Sequence, residues 1–214
     1  MEKIVVKTAV KTVLIILAAL LAVFAVFNFG FPQHMATAME GIGNYDLAVK
    51  YASLRYRYTK DCGDLARCFD DSVLLENDKY ILEYGEKLIE NKDYADVCRE
   101  KDEQQKGSRY DYDHWVKSKL SISYYNTGNA AKAIDTAVVN EKKDGVLHFE
   151  YGNALMSLAA RIRTDRDAEA AGYLLEALEE VVPADSIEEK NLEEVKIAMR
   201  NVKNGGGSVA GSQP

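Results

Sequence analysis

Gly128-Asn129 separates two segments of helical period by only two residues, and breaks of this length recur along the chain. The segment before it ends in Ser123-Tyr124-Tyr125-Asn126-Thr127; the one after begins Ala130-Ala131-Lys132-Ala133-Ile134. Helices of about 10 to 17 residues joined by such turns are forced to lie antiparallel beside one another. Glycine supplies the positive-φ conformation that ends the first helix. Alanines in the second let the two backbones approach closely, and the tyrosines of the first then fill the next groove along. Long stretches rich in Ala, Leu, Glu and Lys favour helix, and few segments alternate in the manner of strands, so the spacing predicts an all-α chain.

The predicted helices run from Pro32 to Glu40, Tyr45 to Tyr58, Asp64 to Leu75, Asp78 to Glu90, Tyr94 to Glu103, Asp113 to Asn126, Ala130 to Val139, Val146 to Arg163 and Asp167 to Val182. A last helix ends near Val202. Asp64 is the expected N-cap of its helix, and Ser186 with Glu189 three residues on has a capping-box pattern. Residues 104–111 read as a polar loop, and 204–214, rich in glycine and serine, as a disordered tail.

Thr12 to Phe31 carries no charged residue. As a helix at about 1.5 Å per residue it spans roughly 30 Å, the thickness of a hydrocarbon core. Lys3, Lys7 and Lys11 precede it, and the next lysine is Lys50. The sequence therefore predicts a basic cytoplasmic segment at 1–11, a transmembrane signal-anchor helix at 12–31 in contact with the lipid bilayer, and an extracytoplasmic body at 32–203. A second reading stays open: Ala36-Thr37-Ala38 resembles a signal-peptidase site, and cleavage after Ala38 would release a secreted, soluble protein.

The formal net charge is −7, and the basic residues ahead of the apolar run concentrate the acidity in the body. An acidic body argues against nucleic acid, whose phosphates demand basic patches. Cys62, Cys68 and Cys98 fall in the expected exported part, where disulfides persist; Cys62 and Cys68 are a candidate pair, with Cys98 as an alternative partner for either. No nucleophile elbow, phosphate loop or dinucleotide glycine pattern occurs. His34, His114 and His148 are scattered. Asp165, Asp167, Glu169 and Glu176 approach a calcium-loop spacing but carry Ala170 where the bend needs glycine. The expectation is a non-enzymatic protein with no metal and no cofactor.

The helix-break-helix pattern repeats. Gly43-Asn44-Tyr45 precedes Ala48 and Ala52; Lys92-Asp93-Tyr94 precedes Val97; Gly128-Asn129-Ala130 precedes Ala133 and Ala137; Arg166-Asp167-Ala168 precedes Ala171, Leu175 and Leu178. With Tyr84-Gly85 and Leu88, Leu120 and Tyr124, and Leu158-Ala159 and Ile162 ahead of the later breaks, residues 32–183 resemble the tetratricopeptide repeat, a helix-turn-helix unit of about 34 residues. The helix at 64–75 is extra to that pattern. The resemblance implies a solenoid of helical hairpins closed by a capping helix, with the first helix of each unit lining a groove for a protein or peptide ligand. Carried onto these residues, the groove positions are Trp115, Ser118, Ile122, Tyr125 and Asn126 in the third unit and Met156, Ala160, Arg163 and Thr164 in the fourth. A plainer reading has Trp115, Tyr124 and Tyr125 packing between helices. The function implied is a scaffold or holding factor at the membrane; an enzyme with a dispersed site and a passive spacer are the rivals.

Overall fold

Two Gly-Asn breaks fold in the same way and explain the hairpins. At the first, the Gly43 N–H donates to the Glu40 carbonyl and the Asn44 N–H to Met39; at the second, Gly128 donates to Tyr125 and Asn129 to Tyr124. This is the Schellman closure, with glycine at φ +73° and +86°. Each asparagine then turns round as N-cap of the next helix: Asn44 Oδ1 accepts from the Leu47 N–H at 3.2 Å, and Asn129 Oδ1 from Lys132 at 3.2 Å. Two residues thus end one helix and begin another. A third turn uses Arg166 in the glycine's place, at φ 56°, with the Asp167 N–H donating to Ile162 and the Asp167 carboxylate capping at Ala170.

The computed structural model describes residues 2–105, 111–143, 146–148 and 153–205. Beyond Gly205 the expected tail lies outside the described residues, as does the loop at 106–110. The chain divides into two compact units, residues 1–76 and 77–214.

The first unit holds α1 (Glu2–Gly30), α2 (Pro32–Gly41), α3 (Tyr45–Thr59) and α4 (Cys62–Leu74). Pro32 opens α2, where its missing N–H costs nothing. Ala36, Ala48, Ala52 and Ala66 are fully buried with Leu65, Cys68 and Phe69, so small residues set the close approach of α2, α3 and α4. The start of α4 differs from expectation. Asp61, not Asp64, is the N-cap, accepting from the Asp64 N–H at 3.1 Å; a Cβ at Gly63 would stand 2.9 Å from that capping oxygen. Asp64 is instead buried, paired with Arg55 Nε at 2.9 Å and accepting from the Thr59 hydroxyl at 2.7 Å.

All three cysteines, including the candidate pair Cys62 and Cys68, are free thiols in the structure. Cys62 and Cys68 stand on one helix, six residues apart, so their Cα atoms are about 9 Å apart along its axis. A disulfide needs less than about 7 Å. Among the described residues, no helix is long and apolar enough to cross a membrane; within α1 the side chains described without a break are those of residues 10–23.

The second unit holds α5 (Asp78–Ile89), α6 (Tyr94–Gln104), α7 (Tyr112–Asn126), α8 (Ala130–Glu141), α9 (Asn153–Asp165), α10 (Ala168–Glu179) and α11 (Ser186–Lys203). Packing alternates. α7 lies against α5 on one side and α9 on the other, and α9 against α11; α8 packs on α7 and α10, and α10 on α9 and α11. Alternate helices therefore form two layers, with α5, α7, α9 and α11 in the first. Leu120, Leu158, Ile162, Leu174 and Leu178 fill the space between them.

Two predicted helices are shorter than expected. Val146 to His148 is a strand, not the start of α9, and Val181-Val182 is a strand, not the end of α10. With Lys142–Lys143 they make a three-stranded sheet, antiparallel at Lys142↔Leu147 and parallel at Leu147↔Val181. β-Branched Val181 and Val182 stand directly before Pro183, which disfavours helix at the residue it follows. The capping box at Ser186 is also displaced. Asp185 accepts from the Ile187 and Glu188 N–H groups, and Glu188 reaches back to accept from Ala184.

Candidate binding face

On α7, residues 115, 119, 122 and 126 follow one another at helical spacing and share a stripe. Trp115, Lys119 and Ile122 are half-buried, and Asn126 is exposed. Trp115 stacks on the buried Tyr112 with ring centroids 5.6 Å apart and planes inclined by 28°. Asn126 is a three-way tie. Its Nδ2 donates to both carboxylate oxygens of Asp78, at 3.0 and 3.1 Å, and its Oδ1 accepts from Arg161 at 2.7 Å. One amide thus fixes α5, α7 and α9 in register across the first layer. Asp78 and Arg161 are contributors that sequence reasoning missed, because they lie 48 and 35 residues from Asn126.

The other two α7 positions expected in the groove face elsewhere. Asn140 of α8 donates to Ser118 Oγ at 3.0 Å and to the His114 carbonyl at 3.1 Å, which turns Ser118 toward the second layer. Tyr125 is buried, and its hydroxyl donates to Asp165 of α9 at 3.1 Å. Burial, then the hydrogen bond to that carboxylate, push its phenol above the ordinary range. Tyr124 likewise serves the packing: its hydroxyl donates to Glu86 of α5, and Lys132 Nζ stands 4.2 Å from its ring centroid. The two tyrosines are ties between helices, in line with the plainer reading of the sequence.

On α9, Met156, Ala160, Arg163 and Thr164 are all exposed, with Met156 39% accessible. The Thr164 hydroxyl donates to the Ala160 carbonyl at 2.9 Å. Arg163 lines a cleft with residues of α10 and α11. Of the expected groove residues, Trp115, Ile122 and Asn126 therefore share one stripe on α7, with Met156 and Ala160 exposed on the neighbouring α9.

Two acids, Asp71 and Glu141, are buried. Asp71 of α4 is 3% exposed, with Oδ2 lacking a partner among the described residues. Burial first, then the charge of Glu40, raise its pKa to about 7 despite the nearby Arg67. Arg67 pairs with Glu40 at 2.5 Å and donates to the Thr37 hydroxyl at 2.7 Å. Glu141, at the end of α8, is 1% exposed; burial lifts it to about 7, while the Ala154 N–H donates to its Oε1 at 3.3 Å. His114 Nε2 stands 3.9 Å from the same oxygen. Among the described residues, no group of three or more His, Cys, Asp or Glu side chains is placed to hold a metal ion.

A further cleft of about 620 Å³ between α6 and α7 is lined by Tyr94, Cys98, Asp102 and Asp113. Burial, above all, pushes the Cys98 thiol up, and Asp113 and Asp102 add to the rise. No protein-family model, no curated protein and no solved structure matches this chain.

Proposed function

We propose that the chain is a membrane-tethered, extracytoplasmic binding protein of tetratricopeptide-like build, which holds a protein or peptide against the α7–α9 face of its first layer. One observation carries this reading: Trp115 and Ile122 are only partly buried on the α7 stripe, with Met156 and Ala160 exposed on α9, while the Asp78–Asn126–Arg161 tie holds the backbones beneath them in register. Rigid aromatic and aliphatic contact area on a fixed framework is what a polypeptide ligand needs at low entropic cost. Tethering supports function with a weak contact, because it raises the effective concentration of the pair.

Two observations support the tether. From Val10 to Val26 the large apolar side chains described on α1 are all more than half exposed, including Ile15, Leu20 and Leu21. A contiguous apolar surface of that kind marks lipid or a partner. The cleavage alternative would remove Ala36, which is fully buried, and Thr37, which binds Arg67. That favours the uncleaved form.

Site-specific photo-crosslinking in intact membranes tests the binding face. A photoreactive residue at position 122 or 160 is expected to give a discrete polypeptide adduct, while one at the exposed position 176 on α10 gives none. Trp115→Ala is expected to lower the adduct yield at 122 by about tenfold, the typical cost of losing an aromatic anchor. Equal adducts at 122 and 176, or none at 122, would remove the reading.

A further inference from the structure

Where the α9–α10 turn meets the end of α11, a cleft of about 600 Å³ is lined by Arg163, Arg166 and Asn201, with Ala168, Ala198 and Val202 as apolar wall. Among the described residues neither arginine forms an ion pair or a side-chain hydrogen bond, and neither does Asn201. This is unusual in a chain with 34 acidic residues against 27 basic ones. The carboxylates nearest in sequence are all committed elsewhere. Asp165 accepts from the Tyr125 hydroxyl, Asp167 caps α10 at the Ala170 N–H, and Glu169 accepts from the Tyr173 hydroxyl. The arginines are not needed to close α9 either, since the Asp167 N–H already satisfies the Ile162 carbonyl.

Arg166 holds the left-handed turn between α9 and α10, as Lys60 and Glu76 do at other helix ends. One turn along α10 from Ala168, the absence of a side chain at Gly172 leaves room for Lys203, whose Nζ would lie 3.8 Å from a Cβ there. Lys203 also lacks a carboxylate partner among the described residues. Three cations and one amide thus gather at one end of the second unit with no direct ion pair among the described residues.

We propose that this cleft binds a phosphate group, free in solution or as the headgroup of an anionic lipid. A carboxylate brings one charge and two oxygens, whereas a phosphate monoester brings up to two charges and three acceptor oxygens. The latter matches two guanidinium forks, the Asn201 amide and the nearby Lys203. The site lies at the C-terminal end of α9, about one turn beyond Ala160, and its test reads phosphate binding and not polypeptide crosslinking.

Calorimetric titration of the full chain in nonionic detergent tests it, with inorganic phosphate, with a soluble short-chain phosphatidic acid, whose headgroup is a phosphate monoester, and with acetate. Saturable binding of phosphate, of the lipid, or of both is expected, and the pattern identifies the source. Arg163→Gln and Arg166→Asn are each expected to weaken that binding about tenfold, the scale of one lost charge-assisted hydrogen bond. Asn is chosen at 166 because it tolerates the left-handed backbone. Lys190→Gln, which removes the same charge from an exposed position elsewhere on α11, is expected to change it less than twofold. No saturable binding by either phosphate compound, equal competition by acetate, or variants indistinguishable from the parent would each overturn the proposal.

Discussion

Two carboxylates at helix interfaces, Asp71 in the first unit and Glu86 in the second, behave in opposite ways. In the first unit Asp71 is buried beside Glu40 and Asp70, with one guanidinium, Arg67, already bonded to Glu40 and Thr37; its pKa rises to about 7. In the second unit Glu86 is 43% exposed and receives hydrogen bonds from Lys132 and the Tyr124 hydroxyl; its pKa falls. Glu141 shows that the unit is not the cause. It lies in the second unit, but it is buried with a single backbone donor, and it moves up as Asp71 does. Water and the number of donors decide the sign, not the mere presence of a nearby cation. The first unit therefore joins α2 to α4 through a strained acidic contact, and the second joins α5, α7 and α8 through a satisfied one.

The largest effects test the packing that underlies both contacts. Phe69 and Leu158 are each fully buried, one in each unit. Phe69→Ala is expected to cost about 3–5 kcal/mol and Leu158→Ala about 2–5 kcal/mol, from lost transfer energy plus the cavity left behind. Hydrogen exchange distinguishes them. Phe69→Ala should speed exchange in α3 and α4 above all, and Leu158→Ala in α7 to α10. Uniform acceleration along the whole chain in both variants would dissolve the distinction between the units.

Next comes Asp71→Asn. A raised carboxyl binds its proton more firmly in the folded chain than in the unfolded one. Its contribution to stability is neutral below about pH 4, turns unfavourable as pH rises toward about 7, and levels off above that. The asparagine variant should therefore be the more stable protein at pH 8, by on the order of 4 kcal/mol, and match the parent near pH 4. Urea unfolding at the two pH values measures this. A variant less stable than the parent at pH 8 would show that the ionised Asp71 is compensated, and the contrast with Glu86 would lose its basis.

The helices and their turns were legible in the sequence because they rest on local chemistry. Gly43-Asn44 and Gly128-Asn129 each close one helix and cap the next, and the alanines after them mark close approach. The helix ends at Val146 and Val181 were not legible, because their strands exist only through pairing between residues 147 and 181. The face of α7 was half legible. Helical spacing separates Trp115, Ile122 and Asn126 from the buried side. Only the partner helix reveals that Ser118 answers to Asn140 and Tyr125 to Asp165. Asp70-Asp71 illustrates the limit most sharply: two adjacent acids look like solvated surface, yet a helix places them on different sides, and Asp71 faces the interior.

Asn126→Ala removes the bond to Asp78 and the bond to Arg161 together. Because Asn126 is exposed, water replaces both partners, and the expected loss is about 1 kcal/mol. Amide exchange at the end of α7 should rise with it. An unchanged melting temperature and exchange profile would mean that the tie follows from the helix packing and does not reinforce it.

Glu86→Gln has the smallest expected effect and the most informative sign. A depressed carboxyl gives stability that is fully present above its unfolded pKa and is lost as pH falls through the folded value, the reverse of Asp71. Both Glu86 and Lys132 are largely open to water, so the deficit at pH 7 is expected to stay below about 1 kcal/mol. It should shrink in molar salt, which screens exposed pairs, and vanish in acid, where the parent is itself protonated. The glutamine can still accept from the Tyr124 hydroxyl, so the residual loss at high salt isolates what the charge adds to that bond. If Glu86→Gln instead stabilised the protein at neutral pH, as Asp71→Asn is expected to do, exposure and donors would not be what separates the two contacts. Some property common to every interfacial carboxylate of this chain would have to replace them.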